Sequence, residues 1–335
     1  MAKRSNQMVK HSIVLVVAMV GSLGLGGCGV QPHGTAIHDY VRGRLDAESG
    51  KIEQALRELT AAISKNPNMV LAYEARGDIY RQQGRLHNAI ADYQHAVTLN
   101  PKSFHGWYEL GVSFQAVHNF QSAVNAYQRS LQVEPKNANA SMNLAVAYAQ
   151  SGQPIFGVIY GRRALANGAA SFSSLANIGA IYAEAANADP RYGRTAIHYF
   201  KSSLELKPHQ SAIYLDMAAV YLQEKHYAMA SRVLRTAGKL APSALVQERL
   251  AYAYYRMGKL GSAKIAYHAA LQLNANYAPA LNGLGVTDMA LALQSETGDS
   301  ALRGKAVGYW RKSLQINPEQ PLIEKLIKRF SPAAP

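Results

Sequence analysis

The chain has 335 residues, 48% hydrophobic and 17% charged, a composition that excludes disorder of the whole chain. A single cysteine excludes an intramolecular disulfide and a multi-cysteine zinc site. The formal charge of +14 favours anionic partners or surfaces and carries no information about fold.

The first element in chain order is a leader. Met1-Ala2-Lys3-Arg4 opens it, and an uncharged stretch from Ser12 to Leu25 follows, rich in Ile, Val, Leu and Ala. A basic start followed by a short apolar run predicts a secretory signal over residues 1–27. The run is shorter than the ~20 residues that a membrane-spanning helix needs. It ends in Leu25-Gly26-Gly27-Cys28, which resembles a bacterial lipobox, with small residues before the only cysteine. The resemblance implies cleavage before Cys28 and a diacylglycerol on its sulfur. Acyl chains, at ~0.8 kcal/mol per buried CH₂, would then hold the chain to a membrane. An ordinary signal peptide, or a short anchor with an incidental cysteine, is the alternative. Gly29, where some bacteria place a retention aspartate, points to the periplasmic face of the outer membrane. Residues 28–35 form a tether.

From Ala36 the sequence repeats itself. Pro67, Pro101 and Pro135 stand 34 apart, as do Gly43, Gly77 and Gly111, and Ala55, Ala89 and Ala123. Small residues recur at positions 8, 20 and 27 of each unit, and aromatic residues at positions 11 and 24. This pattern resembles the tetratricopeptide repeat (TPR) family. The resemblance implies an all-α, right-handed solenoid of about eight helix-turn-helix repeats. Their boundaries are 36–69, 70–103, 104–137, 138–171, 172–210, 211–243, 244–277 and 278–320. Small residues let the two helices of a repeat approach closely. Proline near position 32 ends the second helix.

Departures from the pattern carry expectations of their own. Asp39, Arg42 and Asp46 replace apolar residues in the first unit and fit an end cap with no preceding repeat. Gly157 and Gly161 inside one helix of the fourth unit predict the loosest repeat and a hinge. Extra residues near 185–190 and 292–300 are expected in the turns between paired helices. Pro321 starts one more helix, with Leu322, Ile323, Leu326, Ile327 and Phe330 on a single face, which predicts a cap over the last repeat. Residues 331–335 form a tail.

In the family the first helix of each repeat lines a concave groove. Carried over by register, the groove residues are Glu74, Asp78, Arg81, Tyr108, Gln115, Asn143, Asn177, Tyr252, Tyr255 and Arg256. Asn143 and Asn177 are 34 apart, and an asparagine can bind both the C=O and N–H of an extended peptide. A plain solvated polar face is the competing reading. The Lys and Asn of the carboxylate-clamp repeats that bind chaperone C-termini are absent at the matching positions, which excludes that reading.

No HExxH and no GxSxG is present, and the eleven histidines are scattered. The expectation is therefore a protein without enzymatic activity, cofactor or metal. The resemblance implies a lipid-anchored envelope scaffold that holds protein or peptide clients, as in cell-wall or pilus and secretion assembly. The alternative is a non-catalytic accessory subunit of a glycosyltransferase or polysaccharide export complex. Residues 301–330 carry seven Lys/Arg against Glu319 and Glu324, a basic cap that suits an anionic ligand or simply solvent. An export signal disfavours nucleic acid. The sequence leaves the oligomeric state open.

Overall fold

The helices begin and end on side chains that the sequence repeats. Ser103, Asn137, Ser171 and Ser243 each accept a hydrogen bond from a backbone N–H in the first turn of the helix that follows, at 2.9–3.3 Å. Such caps satisfy donors that have no partner inside the helix. At the other end Asn66, Asn100, Asn274 and Asn317 accept from the N–H two residues on, closing a turn after the helix. The computed structural model describes residues 35–294 and 299–331. Among them are seventeen helices and no strand. The chain is an all-α solenoid of helix-turn-helix repeats.

Two compact units are separated at Ala75, inside a helix. The first unit contains α1 (Ala36–Glu48), α2 (Ile52–Lys65) and the beginning of α3 (Val70–Gln82). Its polar trio is not simply solvated. Asp39 is buried and lies 2.6 Å from Lys65 Nζ, Arg42 lies 3.2 Å from Glu58, and Asp46 lies 3.8 Å from Lys51. The charges that replace apolar residues are paired within their own hairpin.

The second unit continues with α4 (Leu86–Leu99), α5 (Phe104–Ala116), α6 (Phe120–Val133), α7 (Ala138–Gln150) and α8 (Pro154–Ala166). Next come α9 (Phe172–Ala185), α10 (Arg191–Leu206), α11 (Ser211–Gln223), α12 (Tyr227–Leu240), α13 (Ala244–Arg256) and α14 (Leu260–Leu273). It closes with α15 (Ala278–Gln294), α16 (Ser300–Ile316) and α17 (Pro321–Phe330). The first helix of each pair is called the A helix and the second the B helix.

The small residues and the large ones are partners. A Cβ on Gly111 would lie 2.7 Å from the ring of Tyr127 and one on Gly179 2.6 Å from Phe200, and one on Gly285 would run into the ring of Trp310. Tyr127, Phe200 and Trp310 are among the largest fully buried side chains. Glycine on the A helix thus makes room for a ring from the B helix, and the ring fills the space between them.

The expected loose fourth repeat is corrected by its packing. A Cβ on Gly157 would meet the backbone carbonyl oxygen of Ala145 at 2.8 Å and Ile181 Cγ2 at 3.0 Å. Gly157 is a point of close helix approach, so its loss of helix propensity is offset by contact. The expected turn near 292–300 is also corrected in part. The extra residues lengthen α15 to Gln294 and start α16 at Ser300, capped by Asp299. Residues 295–298 lie outside the described residues. In α17 Ile323 is buried and Leu326, Ile327 and Phe330 pack against Met289, Val307 and Trp310. Leu322, expected on that face, is instead 74% exposed.

Candidate functional site

The residues assigned to a groove all stand on A helices. Glu74 is a buried residue of the first unit. In the second unit side chains of successive A helices bond to one another and to rings of the B helices between them. Tyr93 Oη donates to Asp78 Oδ1 at 2.7 Å, and His105 Nε2 lies 3.1 Å from the same oxygen. Arg81 Nε lies 2.9 Å from Glu109 Oε2. Burial pushes the Glu109 carboxyl above its usual range, with Arg81 opposing. Burial also raises the Tyr93 hydroxyl, and the Asp78 charge adds to it.

The next step repeats this linkage with neutral groups. Asn143 Nδ2 donates to Tyr108 Oη at 2.9 Å. Tyr127 Oη donates to Gln115 Oε1 at 2.9 Å, and Gln115 Nε2 donates to Gln150 Oε1 at 2.6 Å. The Tyr108–Asn143 and Gln115–Gln150 bonds each span 35 residues, so they run from α5 to α7 along one edge. The two asparagines are therefore in different states: Asn143 is half-buried and engaged, and Asn177 on α9 is exposed.

A third cluster sits on α13. Arg256 Nη1 donates to Tyr252 Oη at 2.6 Å. Its guanidinium lies 4.6 Å from the centre of the Tyr227 ring and 5.6 Å from that of Tyr252, a cation–π arrangement. Tyr255 is half-buried and packs on the core. Burial raises the Glu248 carboxyl, opposed by Arg249 at 3.5 Å.

Register alone did not reveal His105, Gln150 or Tyr227 as members of these clusters. His105 stands at position 2 of its unit and Gln150 at position 13, both positions that commonly meet ligand in the family the sequence resembles, so that signal was present. Tyr227 is the first residue of a B helix, where no groove position falls. The arrangement supplies amide, hydroxyl and aromatic surfaces, which suit binding an extended chain. Among the described residues no group of three His, Cys, Asp or Glu is placed to hold a metal, and no helix is long and apolar enough to cross a membrane. Cys28, the signal at 1–27, the tether before Thr35 and the tail after Ser331 lie outside the described residues.

Models of the TPR repeat and the tetratricopeptide repeat match residues 77–117, 108–174 and 246–277. Over 98 residues the chain is 34% identical to the heat shock protein sti1 homolog of Schizosaccharomyces pombe, covering 29% of this chain and 17% of that protein. It is similar in structure to the C-terminal part of a TPR repeat-containing protein from Cytophaga hutchinsonii, with TM-score 0.59 and 14% identity, covering 76% of this chain and 99% of that one. It is also similar to a chain of the APC/C hetero-tetramer Cut9-Hcn1, with TM-score 0.53 and 17% identity, covering 83% and 52%. The chain thus spans less than two thirds of the sti1 homolog and of the Cut9-Hcn1 chain. At these identities the structural likenesses show the fold alone.

Proposed function

We propose that this chain, an all-α solenoid of tetratricopeptide repeats, is a lipid-anchored scaffold of a bacterial cell envelope that holds protein or peptide clients against its A helices. The observation that carries this reading is the polar edge running from α5 to α7, where Tyr108 meets Asn143 and Gln115 meets Gln150. Asn143 gives one amide hydrogen to Tyr108, and its carbonyl keeps acceptor capacity for a guest backbone. Repeat folds of this kind generally act as interaction scaffolds, and holding a client breaks no bond. The Leu25-Gly26-Gly27-Cys28 run supports lipidation at Cys28 and attachment to the periplasmic face of the outer membrane. Clients there include the machinery of cell-wall or pilus and secretion assembly.

Crosslinked affinity capture from native envelopes tests the reading. Wild type should retain an envelope protein that the Asn143→Ala, Asn177→Ala variant loses. Identical captures from both would remove the middle A helices, α7 and α9, as the docking face. For the anchor, the Cys28→Ser protein should stay at precursor size and take up no labelled palmitate. Normal processing of that variant would sink lipidation.

A further inference from the structure

From α7 onward charge is sorted by helix, a pattern that α4, with Asp92 and no Lys or Arg, does not share. The B helices α8, α10, α12, α14 and α16 carry thirteen Lys or Arg and one acid, Glu205. The A helices α7, α9, α11, α13 and α15 carry four acids and two Arg. On each B helix, residues spaced by four and then three share a face. On α8 these are Ile155, Ile159 and Arg162; on α10, Arg194, His198 and Lys201; on α12, Ala228, Arg232 and Arg235. All nine are exposed, and no acid stands among them.

One stretch of this outward strip breaks the polar rule. Ile155, Phe156 and Ile159 on α8 are 40%, 50% and 56% exposed. The matching residues are Gln121, Ser122 and Asn125 on α6 and Arg194, Thr195 and His198 on α10. The fold does not require an apolar triplet here, because α8 already buries Gly157, Val158, Gly161 and Ala164 on its other side. Phe156 gains a stacked contact with Tyr148 at 5.4 Å between centroids, yet half of it stays in water. Arg162 follows Ile159 by three residues, at the edge of the triplet.

We propose that this strip docks the chain on an anionic lipid bilayer. Ile155, Phe156 and Ile159 enter the boundary between headgroups and acyl chains, and Arg162, Arg194, Lys201, Arg232 and Arg235 meet headgroup phosphates. A phosphate polymer would reward the cations and leave the triplet in water. A folded acidic protein would need a rigid apolar pocket matched to three side chains. A fluid bilayer accepts both features at once. Docking through B helices leaves the A helices open to a client.

Vesicle flotation of the full chain tests this, read as the ratio of partition onto phosphatidylglycerol-containing vesicles over pure phosphatidylcholine vesicles. The leader and any acyl anchor contribute equally to every variant compared. Wild type should show a ratio above about ten, lost when salt rises from about 0.1 M to about 1 M and screening shortens from ~10 Å to ~3 Å. Ile155→Ser, Phe156→Ser, Ile159→Ser should lower partition onto the anionic vesicles about tenfold. Arg194→Glu, Arg232→Glu should lower the ratio about tenfold below the wild-type value. These positions are exposed, and unchanged circular dichroism verifies that both variants fold. In a separate arm, Phe156→Trp should add fluorescence that brominated lipid quenches. A wild-type ratio near one, no quenching at Trp in place of Phe156, or full binding by the triple variant overturns the proposal. So does equal binding to duplex DNA or an acidic protein that the triple variant retains.

Discussion

The α5–α6 and α7–α8 pairs solve the same packing problem in opposite ways. In α5–α6 the glycine is on the A helix and the ring on the B helix: Gly111 lies under the buried Tyr127. In α7–α8 the A helix carries Ala145, and the B helix offers Gly161 where Tyr127 stands in its neighbour, with Gly157 pressed against the Ala145 carbonyl. The aromatic mass has moved as well. Phe156 and Tyr160 stack on Tyr148 at 5.4 Å and 5.5 Å instead of filling the space between the helices. Where no ring fills the gap, small side chains on both helices let the backbones meet, so here they report closeness and not looseness.

The sharpest way to break the comparison is to remove the ring. Tyr127→Ala should destabilise by about 3–5 kcal/mol through the cavity left over Gly111 and the lost bond to Gln115. Denaturant unfolding followed by hydrogen exchange of α5 and α6 reads the loss; the same substitution at Tyr160, half-buried on the outside, should cost clearly less. Gly111→Leu comes next, at about 1–3 kcal/mol or more by overpacking against that ring. In the Tyr127→Ala background its cost should fall sharply, and purely additive effects would show that the two residues are not coupled.

In α7–α8 the expected cost belongs to the other helix. Gly157→Ala should destabilise by about 1–3 kcal/mol, because its Cβ meets backbone that cannot rotate away. Gly161→Ala meets Ile178 Cγ1 only at 3.3 Å, and better helix propensity offsets the squeeze, so its change should stay within about 1 kcal/mol. A larger cost at Gly161 than at Gly157 in thermal melts would reverse this assignment. The smallest effect lies in the turns. Gly152 ends α7 with φ 78°, and the corresponding His118 after α5 holds φ 59° with a side chain that disfavours it. His118→Gly should raise stability by up to about 1 kcal/mol, reduced by the lost edge contact with Phe120. A lower melting temperature would show that this contact outweighs the backbone strain.

The fold was legible because its determinants are local and periodic. Prolines 34 apart, small residues at three fixed positions and aromatic residues at two are enough to phase the helices. What register left out are interactions between residues with no shared motif position. Lys264 donates to the fully buried Asp288 at 2.7 Å, although an aromatic residue fills that position in most units. Asp39 is buried against Lys65 for the same kind of reason. Gly157 and Gly161 look like flexibility in a list of helix propensities, and only the position of the facing carbonyl turns one of them into a contact. For the candidate site, register placed the residues on A helices, but the partners of Asp78, Gln115 and Arg256 depend on side-chain reach across units. Reach is set by the offset between neighbouring helices, which a period of 34 does not contain.

Under the proposed function, the edge bonds between α5 and α7 would make occupancy a shared matter. A guest that turned the Asn143 amide toward itself would leave the Tyr108 hydroxyl without this donor, and Gln150 is tied in the same way to Gln115 and through it to Tyr127. An event at one helix pair is thus felt as a missing partner in the pair before it. Neighbouring pairs are read together, as adjoining keys that share a spring.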